Sequence, residues 1–285
     1  MRTFFPSLLV WIVTTIAVFA AEVHPPSQMS AGVSFSMPSS GGGQGTLYLI
    51  GPAHLSKRQV NLGTDIEVDG DEVERVGRYT VILCTDQCSA SEFYVHPAGP
   101  DRLSLLVHPS RVPVSNPNAI SAVAVVWDVY HNLELSPETV KFTVNPDEHT
   151  SLSEARTTNN GIAWIRLTSA AKSGVVKLQA SVGKVSEIRV VQQVASDACN
   201  LRIRASSASK KITVETDPVR DCSGNFVPDG TVVSFTMTDS AGKTTVDVPI
   251  KRGVAKVEMP AHGRARITAA SGVVTGNELD MGGGE

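Results

Sequence analysis

The chain has 285 residues, 41% hydrophobic and 19% charged, with 23 Gly and 16 Pro, a composition of globular proteins and not of disordered or collagenous ones. The 25 Lys+Arg against 28 Asp+Glu leave a formal charge of −3, so no overall basic field exists to gather nucleic acid or anionic lipid. The length fits two domains of ordinary size or three small β-domains, and the patterning below selects three.

The N-terminus comes first. Arg2 precedes an apolar stretch from Phe4 to Ala21, after which Glu22 opens ordinary polar sequence. Val18 and Ala20 fill the small −3 and −1 positions of a secretory signal, which places a cut between Ala20 and Ala21 and makes residues 1–20 a signal peptide. No Cys follows the cut, which excludes a lipoprotein anchor. A retained N-terminal anchor is the alternative, because the stretch approaches the length of a membrane span. Once the segment is removed, nothing else in the sequence inserts in a membrane. The expected location is secreted, periplasmic or otherwise at the cell envelope.

Export makes disulfides the natural reading of four cysteines, Cys84, Cys88, Cys199 and Cys222. Three pairings are possible; chain proximity favours Cys84–Cys88 and Cys199–Cys222, each within one candidate domain. A zinc site lacks supporting ligands, since no His lies near Cys84 or Cys88 and the seven His are scattered singly.

Period-2 apolar alternation runs through the mature chain, at 46–50, 78–83, 92–95, 120–127, 140–144, 163–167 and 175–180. It continues at 201–204, 211–214, 232–236, 253–257 and 265–268. These are half-buried strands, and turn clusters separate them at the short spacing of antiparallel sandwiches. No stretch shows sustained helical periodicity. The fold class is therefore all-β, with three tandem Ig-like β-sandwiches after the signal peptide. They span 24–100, 103–194 and 195–277, and residues 278–285 form a disordered tail. In the first, Tyr79 stands near the start of a late strand, where its hydroxyl can fix a corner.

An internal repeat supports this division. Asp128 aligns with Asp221, Asn132 with Asn225, Val140 with Val233 and Phe142 with Phe235, all at an offset of 93. Gly161-Ile-Ala163 then falls on Gly253-Val-Ala255, and Gly174 on Gly263. The Asp-x-x-x-Asn turn closes a hairpin, Val-x-Phe supplies an inner sheet face, and Gly with a small Ala admits close strand packing.

The segment from Asp221 to Phe235, DCSGNFVPDGTVVSF, resembles the bacterial Ig-like repeat of invasin and intimin, whose pattern reads D-x-x-G-N-x-V-P followed by V-x-F. The segment from Asp128 to Phe142 keeps the frame but lacks the turn Gly and shifts the Pro. Thr157 or Thr158 ahead of Gly161-Ile-Ala163 matches the second half of the repeat, whereas Lys251-Arg-Gly253 has no such Thr. The resemblance covers about 103–277 and implies an Ig-like fold; a ligand does not follow from it.

Motifs for chemistry are sparse. Asp65, Glu67, Asp69 and Gly70 superficially follow a calcium-loop spacing, but Val76 occupies the position that needs a bidentate Glu. A hairpin with Ile66 and Val68 inward explains the same residues. His54, His96, His108 and His131 have no partner at metal or triad spacing. Nucleophile-elbow, Walker and zinc-protease motifs are absent. No catalytic, cofactor-binding or metal residue is therefore assigned, and no cofactor is expected. Trp127, Tyr130 and Trp164 offer sugar stacking or, more simply, packing at the ends of the second sandwich. The basic residues Arg202, Arg204, Lys210, Lys211, Lys251, Arg252, Arg264 and Arg266 read as solvated strand faces.

These features predict an exported non-catalytic Ig-like protein that adheres, binds or spaces at the bacterial envelope or outside it. Its partner would be a protein or glycan at a cell surface, met through edges and loops. A periplasmic assembly chaperone and a carbohydrate-binding accessory protein are the alternatives.

Overall fold

A computed structural model describes residues 21–145, 151–208, 211–260 and 262–282. The signal segment and its residue Ala20 lie outside these. Among the described residues there is no α-helix; one 3-10 turn, Gly70–Val73, interrupts a chain of β-strands. Two compact units are present, residues up to 99 together with 128–132, and residues 100–127 together with 133 onward. Their buried apolar side chains form three clusters, one in the first unit and two in the second.

In the first unit a five-stranded sheet runs Gln28–Ser30, Cys88–His96, Gly77–Cys84, Gln44–Gly51, His54–Asn61, and Phe35–Met37 pairs with Ile66–Val68. The Gly77–Cys84 strand alternates so that Tyr79, Val81 and Leu83 are buried. Tyr79 stacks on Phe93 and donates its hydroxyl to Arg75 O at 3.0 Å. This is the corner its position predicted, a buried phenol whose polar end is satisfied by the chain four residues back. Ile66 and Val68 do point inward, but their strand pairs with Phe35–Met37 instead of closing a local hairpin.

In the second unit, one sandwich packs a three-stranded sheet, Ile162–Leu167, Ile120–Trp127, Arg102–His108, on a five-stranded one. The latter runs Leu152–Thr157, Thr139–Asn145, Gly174–Val182, Val185–Val194, Arg111–Pro113. A further sandwich is centred on Val232–Asp239, which pairs with Gly242–Pro249 and Ala265–Ser271. The repeat is visible in both cores. Val140 and Phe142 match Val233 and Phe235, and all four are fully buried. Gly161, at φ 75°, could not carry a side chain, because a Cβ would sit 2.6 Å from Leu133. Gly253 repeats the arrangement against Phe226 at 3.0 Å.

Part of the expected tail at 278–285 is a strand, and residues 283–285 lie outside the described residues. Leu279–Met281 pair with Ala265–Ile267 as an edge strand, and Leu279 and Met281 pack against the last core. Two apolar residues at period 2 have core surface to cover, and that burial offsets the cost of ordering the segment.

Both disulfides form as chain proximity suggested. Cys84 and Cys88 are register partners at the tip of their hairpin, and Cys199 joins Cys222 across a separation of 23. By the loop-entropy model, replacing Cys199 and Cys222 with Ser is expected to cost about 3 kcal/mol in denaturant titrations, about 1 kcal/mol more than opening the short Cys84–Cys88 loop. Tyr79→Phe, which leaves the packing and removes the corner bond, is expected to cost about 1–2 kcal/mol by the same measurement.

Candidate interaction surface

Two features stand out from the sandwiches themselves. The first is the repeated turn. In the second unit Asp221 is 4% exposed, and its carboxylate accepts from the backbone N–H of Ser223 at 2.9 Å, Asn225 at 2.8 Å and Ser196 at 3.0 Å. The Asn225 side chain donates to it as well, at 3.0 Å. Asn225 then spans to the preceding sandwich, where its Nδ2 donates to Ala171 O at 2.7 Å and its Oδ1 accepts from Ser173 N at 2.9 Å. Burial pushes the Asp221 carboxyl up, but the bonds from Asn225, Ser196 and Ser223 outweigh it and hold the group below the ordinary 3.8.

The first unit contains the same device. Asp128, fully buried, accepts from Tyr130 N, Asn132 N and Ala98 N at 2.9, 2.7 and 3.1 Å. Asn132 donates to Glu74 O at 2.7 Å and accepts from Val76 N at 3.2 Å. Residues 74 and 76 precede Gly77 by the same steps as residues 171 and 173 precede Gly174. In the last sandwich the matching amide, His262 N just before Gly263, donates to Asp239 at 3.0 Å. The repeat sequence signalled the turn; its reach into a preceding loop needed the structure.

The second feature is an exposed apolar sheet face. On the three-stranded sheet, register places Trp164 beside Val123 and Val123 beside Leu106. Trp164 is 61% exposed and Leu106 64%. Ile162, opposite Val125, extends the row. Next to it, a groove of about 500 Å³ is lined by Asn118, Arg156, Thr157, Asn159, Trp164 and Arg166. Its charged side chains are both Arg, with Arg156 also ion-paired to Glu154.

The three aromatics singled out in the sequence do not act together. Tyr130 packs against the first core, over Gly32, where its ring fills the space of a side chain. Trp127 is half-buried, at the end of its strand. Trp164 turns outward because the buried places of its strand go to Ala163 and Ile165. Of the basic residues singled out in the last sandwich, three pair with acids: Arg204 with Asp217, Lys211 with Glu258, and Arg266 with Glu278 and Asp280. Lys210 lies outside the described residues. Among those residues no group of three or more His, Cys, Asp or Glu is placed to hold a metal, and Asp69 instead caps the 3-10 turn. No helix there is long and apolar enough to cross a membrane.

The fold is that of a tandem Ig-like β-sandwich protein. Among solved structures it is similar to the Escherichia coli adhesin FdeC, with a TM-score of 0.61 and 14% identity over 92% of this chain and 96% of that one. Invasin, a bacterial integrin-binding protein, gives 0.52 and 11% over 92% of this chain and 59% of its own. InvD of Yersinia pseudotuberculosis gives 0.51 and 10% over 93% and 97%. At these identities the likeness is one of fold. No protein-family model and no curated protein matches the sequence.

The depressed Asp221 pKa fixes the sign of a pH effect. A carboxyl bound more tightly when ionised contributes its stability above its unfolded value of about 4, and loses it as pH falls through the lower folded value. Urea titrations of wild type and Asp221→Asn are therefore expected to differ most near neutrality, by about 1–3 kcal/mol, and to converge as pH drops below 4.

Proposed function

We propose that the protein is an exported, non-catalytic Ig-like module that adheres, binds or spaces at the bacterial cell envelope or outside it. It would comprise a signal peptide at 1–20 and sandwiches at 24–100, 103–194 and 195–277. The observation that carries the reading is the exposed row of Leu106, Val123 and Trp164 on a sheet whose other face is a complete core. A large outward Trp and Leu on either side of the half-buried Val123 cost solubility, and such patches mark interaction sites. The ordered contacts of Ala21 and Val23, whose carbonyls accept from Ser89 and Ser91, agree with a mature chain that starts at Ala21. The bacterial adhesins of similar fold support the same direction. One observation favours the carbohydrate-binding alternative, namely the outward Trp164 next to Asn118 and two arginines.

The mature protein, screened on whole-cell surfaces and on glycan arrays, is expected to bind in the micromolar range. Leu106→Ser and Trp164→Ser are each expected to weaken binding about tenfold, as loss of a well-packed apolar anchor does. No binding at micromolar concentration would overturn adhesion in favour of a passive spacer. Mass spectrometry of the unreduced protein is expected to find no free thiol; four free thiols would contradict the export reading.

A further inference from the structure

Resting on that reading, we infer that the outer edge of the Ile162–Leu167 strand accepts an extended acidic peptide as an added β-strand. The ladder phase supplies the first argument. Val126 N donates to Gly161 O at 2.9 Å. In an antiparallel pair bonded and non-bonded residue pairs alternate, so Ala163 and Ile165 hold the bonds to Ala124 and Ala122. The N–H and C=O of Trp164 and Arg166 consequently point away from the sheet. Ile162 spends its outward pair on Asn159. Trp164 and Arg166 spend theirs on nothing among the described residues, leaving two donors and two acceptors at the repeat of a strand.

The opposite edge of the same sheet is treated differently. There Leu105 N donates to the Glu187 carboxylate, from the strand Val185–Val194. A side-chain cap of this kind is how sheets avoid stray pairing. One edge carries a side-chain cap on a backbone amide and the other carries none among the described residues, although both belong to one three-stranded sheet.

Charge selects the occupant. The groove along the open edge is lined by Arg166 and by Arg156, the latter paired with Glu154 outside the lining, and by no acid, while Trp164 and Ile162 present apolar surface at alternate positions. A strand that adds here has its backbone bonded by Trp164 and Arg166, apolar residues over Trp164, and carboxylates between the arginines. That is the general logic of strand addition, in which the main chain supplies affinity and alternate side chains supply specificity. A sugar would use the Trp face and the arginines but not the outward amides, so the peptide accounts for more of what is exposed.

The test uses the chain from Ala21 onward and fluorescence anisotropy with a labelled heptapeptide of Glu and Val, in which a Val and a Glu stand two residues apart so that they face Trp164 and Arg166 together. Binding is expected with Kd on the order of 10–100 μM, modest because the peptide must be ordered. The Lys/Val counterpart is expected to bind at least tenfold more weakly, and a Glu/Val peptide N-methylated at every amide not to bind. Arg166→Glu should weaken the Glu/Val peptide at least tenfold with an unchanged melting temperature, whereas Val273→Ser, at an exposed position of the last sandwich, should leave it bound. Equal binding of the N-methylated peptide would overturn the proposal, because charge alone would then suffice. So would binding of polygalacturonate in place of the peptide, or of neither. The N-methyl comparison needs no variant to fold. In any of these failures the adhesion reading still stands or falls on the Leu106→Ser effect at cell surfaces.

Discussion

A buried carboxylate that must be satisfied organises the chain at its repeats. Asp221 has almost no contact with water, so every lone pair must find a donor within the protein or the turn unravels. The donors come from its own turn, at Ser223 and Asn225, and from the connecting segment, at Ser196. Asn225, held by that carboxylate, has its own Oδ1 and Nδ2 fixed in direction. Those two atoms meet a carbonyl and an amide just ahead of Gly174. One side-chain pair thus joins three stretches of chain: a turn, a connector and the loop of the sandwich before it. Asp128 and Asn132 do the same with Ala98, Glu74 and Val76 in the first unit.

The polar junctions accompany a sequence with only 5% aromatic residues. The buried clusters are filled mainly by Val, Ile, Leu and Ala, with few aromatic anchors: Tyr79 stacked on Phe93 in one, Phe142 and Phe235 in the others. Small cores of this kind bury little area each, and polar junctions with disulfides at Cys84–Cys88 and Cys199–Cys222 add constraint that burial does not supply. Since Asn225 fixes a direction as well as an attachment, the turn contributes geometry where apolar packing would contribute only adhesion.

The strands legible in the sequence were those with one face in a core, such as Ile120–Trp127, where every second residue is buried. Edge strands of mainly polar residues are not legible, whereas the edge strand Ile162–Leu167 is. His54–Asn61 carries Lys57, Arg58 and Gln59, and Leu152–Thr157 carries Ser153, Glu154 and Arg156; both are held by their neighbours instead of by their own burial. The outward side of Trp164, which goes against the packing alternative, is hidden in the sequence for a related reason. Alternation says which residues share a face, but Ala163 and Ile165 take the core face, and only the structure shows that the larger residue is the one outside. The same limit hid the open edge, since hydrogen-bond phase depends on pairing and leaves no trace in composition. The segment 279–281 was too short for alternation to register.

The central claim is that the Asp-x-x-x-Asn turn fixes how successive sandwiches of the second unit are joined. Residual dipolar couplings from the cores around Phe142 and Phe235, measured on the chain from Ala21 onward, test it most directly. Both cores are predicted to fit one alignment tensor in the wild type and to need two in Asn225→Ala, with each core's own amide spectrum preserved. A single tensor retained in Asn225→Ala, or two already required in the wild type, would contradict the account.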